Sequence, residues 1–422
     1  MPLFHIDLQG WVAPADLFVQ LYSNSPNAFW LDREHNLENP FSVIGSGLPV
    51  HEFSELELFK SDEDLELPFE FRPGLVGAVG FEGQKNLLRV DRAIVFDHRN
   101  RKMHFLAYAE SEAEFKNWYR AAFLRLALVG GEVASYLLKQ GDINLESVSA
   151  RHSKSQYLKL IDGAQRSIAN GDVYQLCLTN QINIVAQADP LATFLKLRVR
   201  VPTPYSAYLK IGELAIVCAS PEQFLTVSSS GKISTKPIKG TRPRSENELE
   251  DSEIAQELRS NSKERAENLM IVDLMRNDLG KVAEFDTVQV SSLFEIETYA
   301  TVHQLVSRIT AQLALHKSAI DAFEAAFPGG SMTGAPKIRA IELIAELEAG
   351  PRGIYSGAIG SFSGNGSLEL GMVIRTLIFE ESQISIGVGG GITIDSDPEA
   401  EFAEIELKAK ALLDVLGAPS PW

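Results

Sequence analysis

Glu264 with Glu267, and Glu401 with Glu404, are two pairs of glutamates three residues apart, each in a segment whose pattern predicts a helix. A spacing of three puts both carboxylates of a pair on one helical face. Two such faces turned toward each other would form an all-oxygen site suited to Mg²⁺, which takes one or two carboxylates and completes its shell with water and ligand oxygens. A glutamate pair is also the ordinary dress of a solvated helix, so spacing alone leaves both readings open. The run Gly329-Gly330-Ser331-Met332-Thr333-Gly334-Ala335-Pro336-Lys337 leads from a loop into another predicted helix. A proline such as Pro336 near the first helical position loses no hydrogen bond, and the loop offers backbone donors and a positive helix end to an anion. It is not a nucleotide P-loop, since Ala335 and Pro336 follow the last glycine where Lys and Ser or Thr are required. Gly387-Val388-Gly389-Gly390-Gly391-Ile392 likewise fails as a dinucleotide fingerprint, although its glycines permit close backbone approach to a ligand.

Three cationic or titratable side chains stand in settings that could serve such a site. Arg375 follows Met372-Val373-Ile374, so a strand there would present a guanidinium among apolar neighbours, where it needs a carboxylate or phosphate partner. A structural ion pair and a ligand contact both meet that need. Lys239, in Pro237-Ile238-Lys239-Gly240-Thr241, lies just past a predicted strand. Desolvated, its amine would lose its proton and become a nucleophile; exposed, it would be a surface lysine. His303 fits a packing role as well as a ligand contact.

The elements that must position these residues read most clearly in the second half of the chain. Leu158, Ile161, Ala164 and Ile168 recur at helical spacing before Asn170-Gly171, a C-terminal signal. Strands are predicted at 173–185, 207–211 and 215–219, a hairpin at 224–227 and 232–235, and further strands at 371–379 and 384–388. Helices are predicted at 112–128, 252–275, 336–347 and 398–416. Segregated strands and helices without strict alternation predict an α+β protein. The polar stretch from Gln140 to Ser153 is read as a link, dividing the chain into 1–145 and 151–420.

Lys and Arg total 39 against 56 Asp and Glu, a formal charge of −17, with no basic run to offset it. Nucleic acid and anionic membrane are excluded as expected partners. An anionic small molecule remains compatible if local cations or a metal ion receive it. With only Cys177 and Cys218, and with neither a basic leader nor an apolar core after Met1, the sequence predicts a cytoplasmic protein without signal peptide or membrane span.

Together and in this order, the motifs resemble those of the chorismate-binding enzymes, which include anthranilate synthase, aminodeoxychorismate synthase, isochorismate synthase and salicylate synthase. The matching blocks are Gly171 to Gln175, Ser220-Pro221-Glu222, Pro237 to Thr241, Lys263 to Lys281, Pro328 to Lys337, Arg352 to Gly357, Ile374-Arg375-Thr376 and Ser396 to Lys408. The resemblance implies two subdomains forming an antiparallel β-sandwich with helices outside, as in anthranilate synthase component I. It implies that Glu264, Glu267, Glu401 and Glu404 hold Mg²⁺ against the ring carboxylate of chorismate, with Glu267 and Glu404 as direct ligands. Tyr355, Arg375 and Lys408, with amides near Gly389 and Gly390, would receive the enolpyruvyl carboxylate. Ser331, Thr333 and Gly334 would line the pocket with Thr241, and His303 would sit beside the ring.

Two positions separate members of the family. Water-adding members carry a lysine base where this chain has Gln175, and an amide cannot remove a proton. Anthranilate synthases usually carry alanine where this chain has Lys239, whereas aminodeoxychorismate synthases carry lysine. The resemblance therefore implies amination of chorismate to 4-amino-4-deoxychorismate, on the route to 4-aminobenzoate and folate. In that reaction Glu222 would protonate the departing C4 hydroxyl and Lys239 would attack C2 before ammonia attacks C4. Anthranilate synthesis is the alternative, and a catalytically silent chorismate-binding subunit a third reading. The chain shows no cysteine, histidine and glutamate set of a glutamine amidotransferase, so a separate glutaminase subunit is the expected ammonia source. Tryptophan-regulated relatives carry a Leu-Leu-Glu-Ser type motif near the start; Trp30-Leu31-Asp32-Arg33 stands at the comparable place, and feedback by tryptophan is not expected.

Overall fold

The computed structural model describes residues 1–59, 64–299 and 302–422. Among these, two antiparallel sheets account for the strands. The larger has twelve strands and runs from Leu3–Gln9 at one edge, through Asn27–Asp32, Tyr205–Ile211, Leu214–Ser220, Thr376–Glu380 and Gln383–Ile392, to Gln175–Gln187 and the short Gly334–Ala335. The smaller has ten and runs from Ile238–Pro243 through Val302–Gln312, Gln223–Val227, Leu368–Met372 and Ala358–Ser363 to Gly74–Val79 and Leu48–Val50. Both sheets take strands from both sides of residue 150. The α+β sandwich expected from sequence is the fold observed.

Alternation along the strands explains how one sheet serves two cores. Trp30 and Ile44 pack with the helices on the outer face of the larger sheet, while their neighbours Phe29, Leu31 and Val43 face inward and join Leu75, Val76, Leu225 and Ile233 of the smaller sheet. Successive strand residues point to opposite faces, so an apolar run here is a strand buried on both sides. Among the described residues, no helix is long and apolar enough to cross a membrane.

Three elements depart from the sequence expectation. The stretch read as a link contains the strand Asn144–Ala150, which pairs along Gln175–Gln187. It is largely exposed and polar, so it lacks the hydrophobic signature of a strand. The helix expected at 252–275 is two, Glu248–Ser260 and Ser262–Gly280, separated at Asn261. The extended backbone of Asn261 breaks the run, and its side chain caps the second helix by accepting the Glu264 amide. The strand expected at 371–379 is also two. Leu368–Met372 lies in the smaller sheet and Thr376–Glu380 in the larger, and the chain crosses between them at 373–375.

That crossing has a twin. Leu214–Ser220 pairs with Thr376–Glu380 in the larger sheet, and Gln223–Val227 pairs with Leu368–Met372 in the smaller. Both strands of the pair therefore change sheets at one place. The Met372 amide donates to the Glu222 carbonyl at 3.0 Å, and the Ala219 amide to the Arg375 carbonyl at 3.1 Å. Glu222 and Arg375 owe their positions to this shared crossing.

Candidate active site

The four glutamates occupy the N-terminal parts of two helices. Asn261 caps Ser262–Gly280, placing Glu264 in its first turn and Glu267 one turn on. Asp397 caps Pro398–Leu416, with Glu401 and Glu404 at corresponding places. Carboxylates near helix N-termini are favoured by the backbone dipoles and unpaired amides there. The structure brings the two helices together at these ends: Lys263 lies 3.2 Å from Glu401 and 3.9 Å from Glu267. Glu267 and Glu401 are buried, whereas Glu404 stays exposed.

Lys239 enters this cluster by way of an irregularity. The pairing of Ile238–Pro243 with Val302–Gln312 slips between Ile238 and Thr241, a bulge that re-aims the intervening side chain. Gly240 at the bulge has φ +80°, a conformation costly for any residue with a Cβ. The Lys239 side chain is 13% exposed, with its Nζ 3.8 Å from Glu267 Oε2. A Cβ placed on Gly391 would lie 3.0 Å from that Nζ and 2.2 Å from Nε2 of Gln175, so the amine and the amide converge over one bare stretch of backbone. The Gln175 side-chain oxygen has no hydrogen-bond partner among the described residues.

Glu222 is buried with the Ser331 hydroxyl as hydrogen-bond partner. Burial pushes its carboxyl up to about 7, against the pull of Ser331, Lys239 and Lys408. A carboxyl poised near neutrality is suited to deliver a proton. Burial likewise raises Glu267, opposed by Lys239 and Lys263. The Glu404 side chain is 51% exposed, and the partial desolvation of its carboxyl among the neighbouring side chains is outweighed by Lys408, 2.6 Å away, so the carboxyl is held below its usual range. Lys408 also donates to the Gly389 carbonyl at 2.8 Å.

Arg375 sits at the sheet crossing with φ +50°, a strained conformation for a residue with a side chain. Among the described residues its guanidinium has no ion pair or hydrogen bond, and burial alone lowers its proton affinity. Such a cation has its hydrogen-bonding capacity unused by the protein and could receive an anion. The Tyr355 ring packs against Gly387, which lies in the same strand as Gly389 and Gly390.

Not every expected residue keeps a free group. His303 is buried with Nδ1 2.9 Å from the Thr298 hydroxyl and Nε2 2.9 Å from Asp251 Oδ1, so both ring nitrogens are engaged by the protein. The Thr333 hydroxyl turns back on the carbonyls of Gly329 and Gly330. Gly334 pairs with Leu176 and fixes the loop to the strand carrying Gln175. Thr241, just past the bulge, is exposed. Two groups carry weight that sequence reading did not assign: Lys263, and the buried pair Glu348 and Arg352. Each is flagged by a spacing of four, Lys263 with Glu267 and Glu348 with Arg352.

The donor set suits a hard divalent cation. Among the described residues no three His, Cys, Asp or Glu side chains close into a ready-made cage. Mg²⁺ does not require one, because it keeps water and ligand oxygens in most positions. The carboxylates already gather around cations, in the form of lysine ammonium groups.

Comparison with known proteins agrees with this geometry. The family model described as chorismate binding enzyme matches residues 67–414. The chain is 44% identical over 373 residues to a Streptomyces griseus protein named aminodeoxychorismate synthase, covering 84% of this chain and 52% of that one. It thus spans about half the length of that relative. It is 39% identical over 327 residues to Escherichia coli (strain K12) aminodeoxychorismate synthase component 1, covering 77% and 69%. The crystal structure of anthranilate synthase component I from Streptococcus pneumoniae TIGR4 superposes with a TM-score of 0.76 at 27% identity, covering 97% of this chain and 92% of that one. With the match extending through the carboxylate helices, the sheet crossing and the glycine-lined strand, the chain belongs to the family of chorismate-binding enzymes.

Proposed function

We propose that this chain aminates chorismate at C4 to give 4-amino-4-deoxychorismate, using ammonia from a glutamine amidotransferase partner and Mg²⁺ at the carboxylate helices. The observation that carries the reading is Lys239, a half-buried amine beside a bulge, near enough to the buried acid Glu222 to act on its carboxyl. The names of the relatives at 44% and 39% identity support the same reaction.

The residues divide the work by charge. The unpartnered Arg375 receives a carboxylate of the substrate, and Lys408 lies close enough to Glu222 to lower its proton affinity. Glu222 gives its proton to the C4 hydroxyl, which leaves as water. Lys239, as the free amine with its proton passed to solvent, forms a bond to C2 as the ring double bonds shift and the C4–O bond breaks. Ammonia then bonds to C4, the C2–N bond breaks, and the lysine amine is released. Mg²⁺, held by Glu267 and Glu404 with Glu264 and Glu401 behind them, would neutralise the ring carboxylate and draw electron density from the ring. Gln175 lies beside Lys239 and cannot act as a base, which disfavours water as the nucleophile.

The test is the product formed from chorismate, ammonium and Mg²⁺. Mass analysis should find 4-amino-4-deoxychorismate with its enolpyruvyl group intact; anthranilate and pyruvate would overturn the reading. Without ammonia, wild type should carry a chorismate-derived adduct on Lys239, and Lys239→Ala should carry none. Full synthase activity in Lys239→Ala would exclude the covalent role.

A further inference from the structure

Each of the four glutamates faces a side-chain cation. Arg242 lies 3.3 Å from Glu264, Lys408 2.6 Å from Glu404 and Lys239 3.8 Å from Glu267. Each of these three contacts carboxylates of one helix within the set. Lys263 differs, because its ammonium touches Glu401 at 3.2 Å and Glu267 at 3.9 Å and so joins Pro398–Leu416 to Ser262–Gly280. Its two partners are buried, with side chains 6% and 9% exposed, while Lys263 itself is 50% exposed.

That asymmetry has physical consequences. Two buried carboxylates facing one another repel strongly in a medium less polarisable than water. A cation between them offsets the repulsion and keeps the helix ends together. A divalent ion held by Glu267 and Glu404, with Glu401 behind them, would stand beside the same ammonium, which already feels Glu404 as well as Glu267 and Glu401, and would repel it from the cluster. Lys263 is free to leave, since its long stem rises from an exposed first turn and its head regains full hydration in solvent.

We propose that Lys263 is a resident cation of the carboxylate site, holding Glu267 and Glu401 together until a divalent metal ion displaces its ammonium into solvent. This rests on the reading that the glutamates bind Mg²⁺. The lysine then lowers metal affinity, because the ion must break an existing pair of contacts, and in return preserves the geometry into which the ion fits. Its contribution to stability belongs to the metal-free protein alone.

Direct binding of Mn²⁺, followed by its electron paramagnetic resonance signal, measures this without reference to turnover. The full chain is titrated as wild type, as Lys263→Met and as Arg265→Met. Arg265→Met removes the same charge two positions along the helix, from a side chain that stacks on Phe294 and touches none of the four glutamates. Lys263→Met should bind Mn²⁺ about tenfold tighter than wild type, a difference of about 1.4 kcal/mol, with Arg265→Met close to wild type. Metal-free Lys263→Met should melt below wild type, and saturating Mn²⁺ should abolish the difference. Unchanged affinity in Lys263→Met, an equal gain in Arg265→Met, or the same melting deficit with and without Mn²⁺ overturns the proposal. Failure of wild type to bind Mn²⁺, with chorismate present or absent, instead overturns the metal reading on which it rests.

Discussion

Two arginines on either side of the glycine-lined strand show opposite solutions to burying a guanidinium. Arg352 is saturated: it donates to both oxygens of Glu348 at 2.8 and 2.6 Å, to the Met332 carbonyl at 2.6 Å and to the Cys177 carbonyl at 2.7 Å, and lies 4.5 Å from the centre of the Phe81 ring. Glu348 also accepts the Thr179 amide. This knot ties the Ser331 loop to the strand that carries Gln175. Arg375 has no side-chain partner among the described residues and adopts a strained backbone. The first arrangement serves the fold, and the second leaves the guanidinium's hydrogen-bonding capacity unused by the protein. Removing Arg352 should therefore act on stability: Arg352→Met strands a buried carboxylate and should cost about 3–5 kcal/mol in urea denaturation. A loss below about 1 kcal/mol would break the contrast.

Glu222 sharpens it from the side of the site. A carboxyl raised from 4.5 to about 7 by burial opposes folding wherever the unfolded chain would ionise it. Below pH 4.5 the acid is protonated in both states and the cost is absent. Between 4.5 and about 7 the unfolded state releases its proton while the folded state retains it, so stability falls as pH rises. Above that window the cost is constant. Glu222→Gln removes this titration and should gain up to roughly 3 kcal/mol relative to wild type at about pH 8, with little such gain at about pH 4. Paired urea melts at the two pH values check it, and a pH-independent difference between the proteins would refute it. Turnover should fall about 10²–10⁴-fold in the same variant, since the amide cannot protonate the leaving hydroxyl.

Arg375 completes the comparison with a smaller expected change. Arg375→Gln should leave urea stability near that of wild type, because no ion pair is lost, while chorismate binding weakens by about 2 kcal/mol, or roughly thirtyfold. Isothermal titration measures the second and denaturation the first. A stability loss like that of Arg352→Met with unchanged chorismate binding would reverse the assignments.

What the sequence made legible follows the range of the interactions involved. The helix Pro398–Leu416 and the hairpin of Gln223–Val227 with Lys232–Thr235 carry their caps, turn and periodicity within their own residues, and sequence reading located them closely. The break at Asn261 was hidden because polar residues continue on both sides of it, and its decisive feature is one side chain folding back on the Glu264 amide. The crossing at 373–375 has no local signal at all, since which sheet a strand joins is settled by partners far along the chain. For the site, the glutamate spacing was visible, but its ambiguity was not removable by spacing: the convergence of the two helix ends is a tertiary fact. His303 illustrates the reverse case, where a motif position suggested a ligand contact and the structure engages both nitrogens internally.

The smallest expected effect concerns tryptophan, for which the prediction is no inhibition. At the position where regulated relatives carry a small serine, Arg33 is 2% exposed and fills the space with its own side chain. It donates to Glu369 at 2.5 Å and to the carbonyls of Asp32 and Ser206, and its guanidinium lies 4.7 Å from the Tyr205 ring centre. Asn39 takes the second oxygen of Glu369. A cavity of about 170 Å³ lies beside Tyr205, but its cation, Lys236, is already paired with Glu38 at 2.9 Å and Glu297 at 2.6 Å. An amino-acid carboxylate entering there would have to displace two existing ion pairs. Turnover should therefore be insensitive to micromolar tryptophan, and an unchanged melting temperature with tryptophan present would show that it does not bind. Inhibition at that concentration would mean that the Arg33 and Glu369 pair opens to admit a ligand, and that this region resembles the loose arrangement at Arg375 more than the closed knot at Arg352.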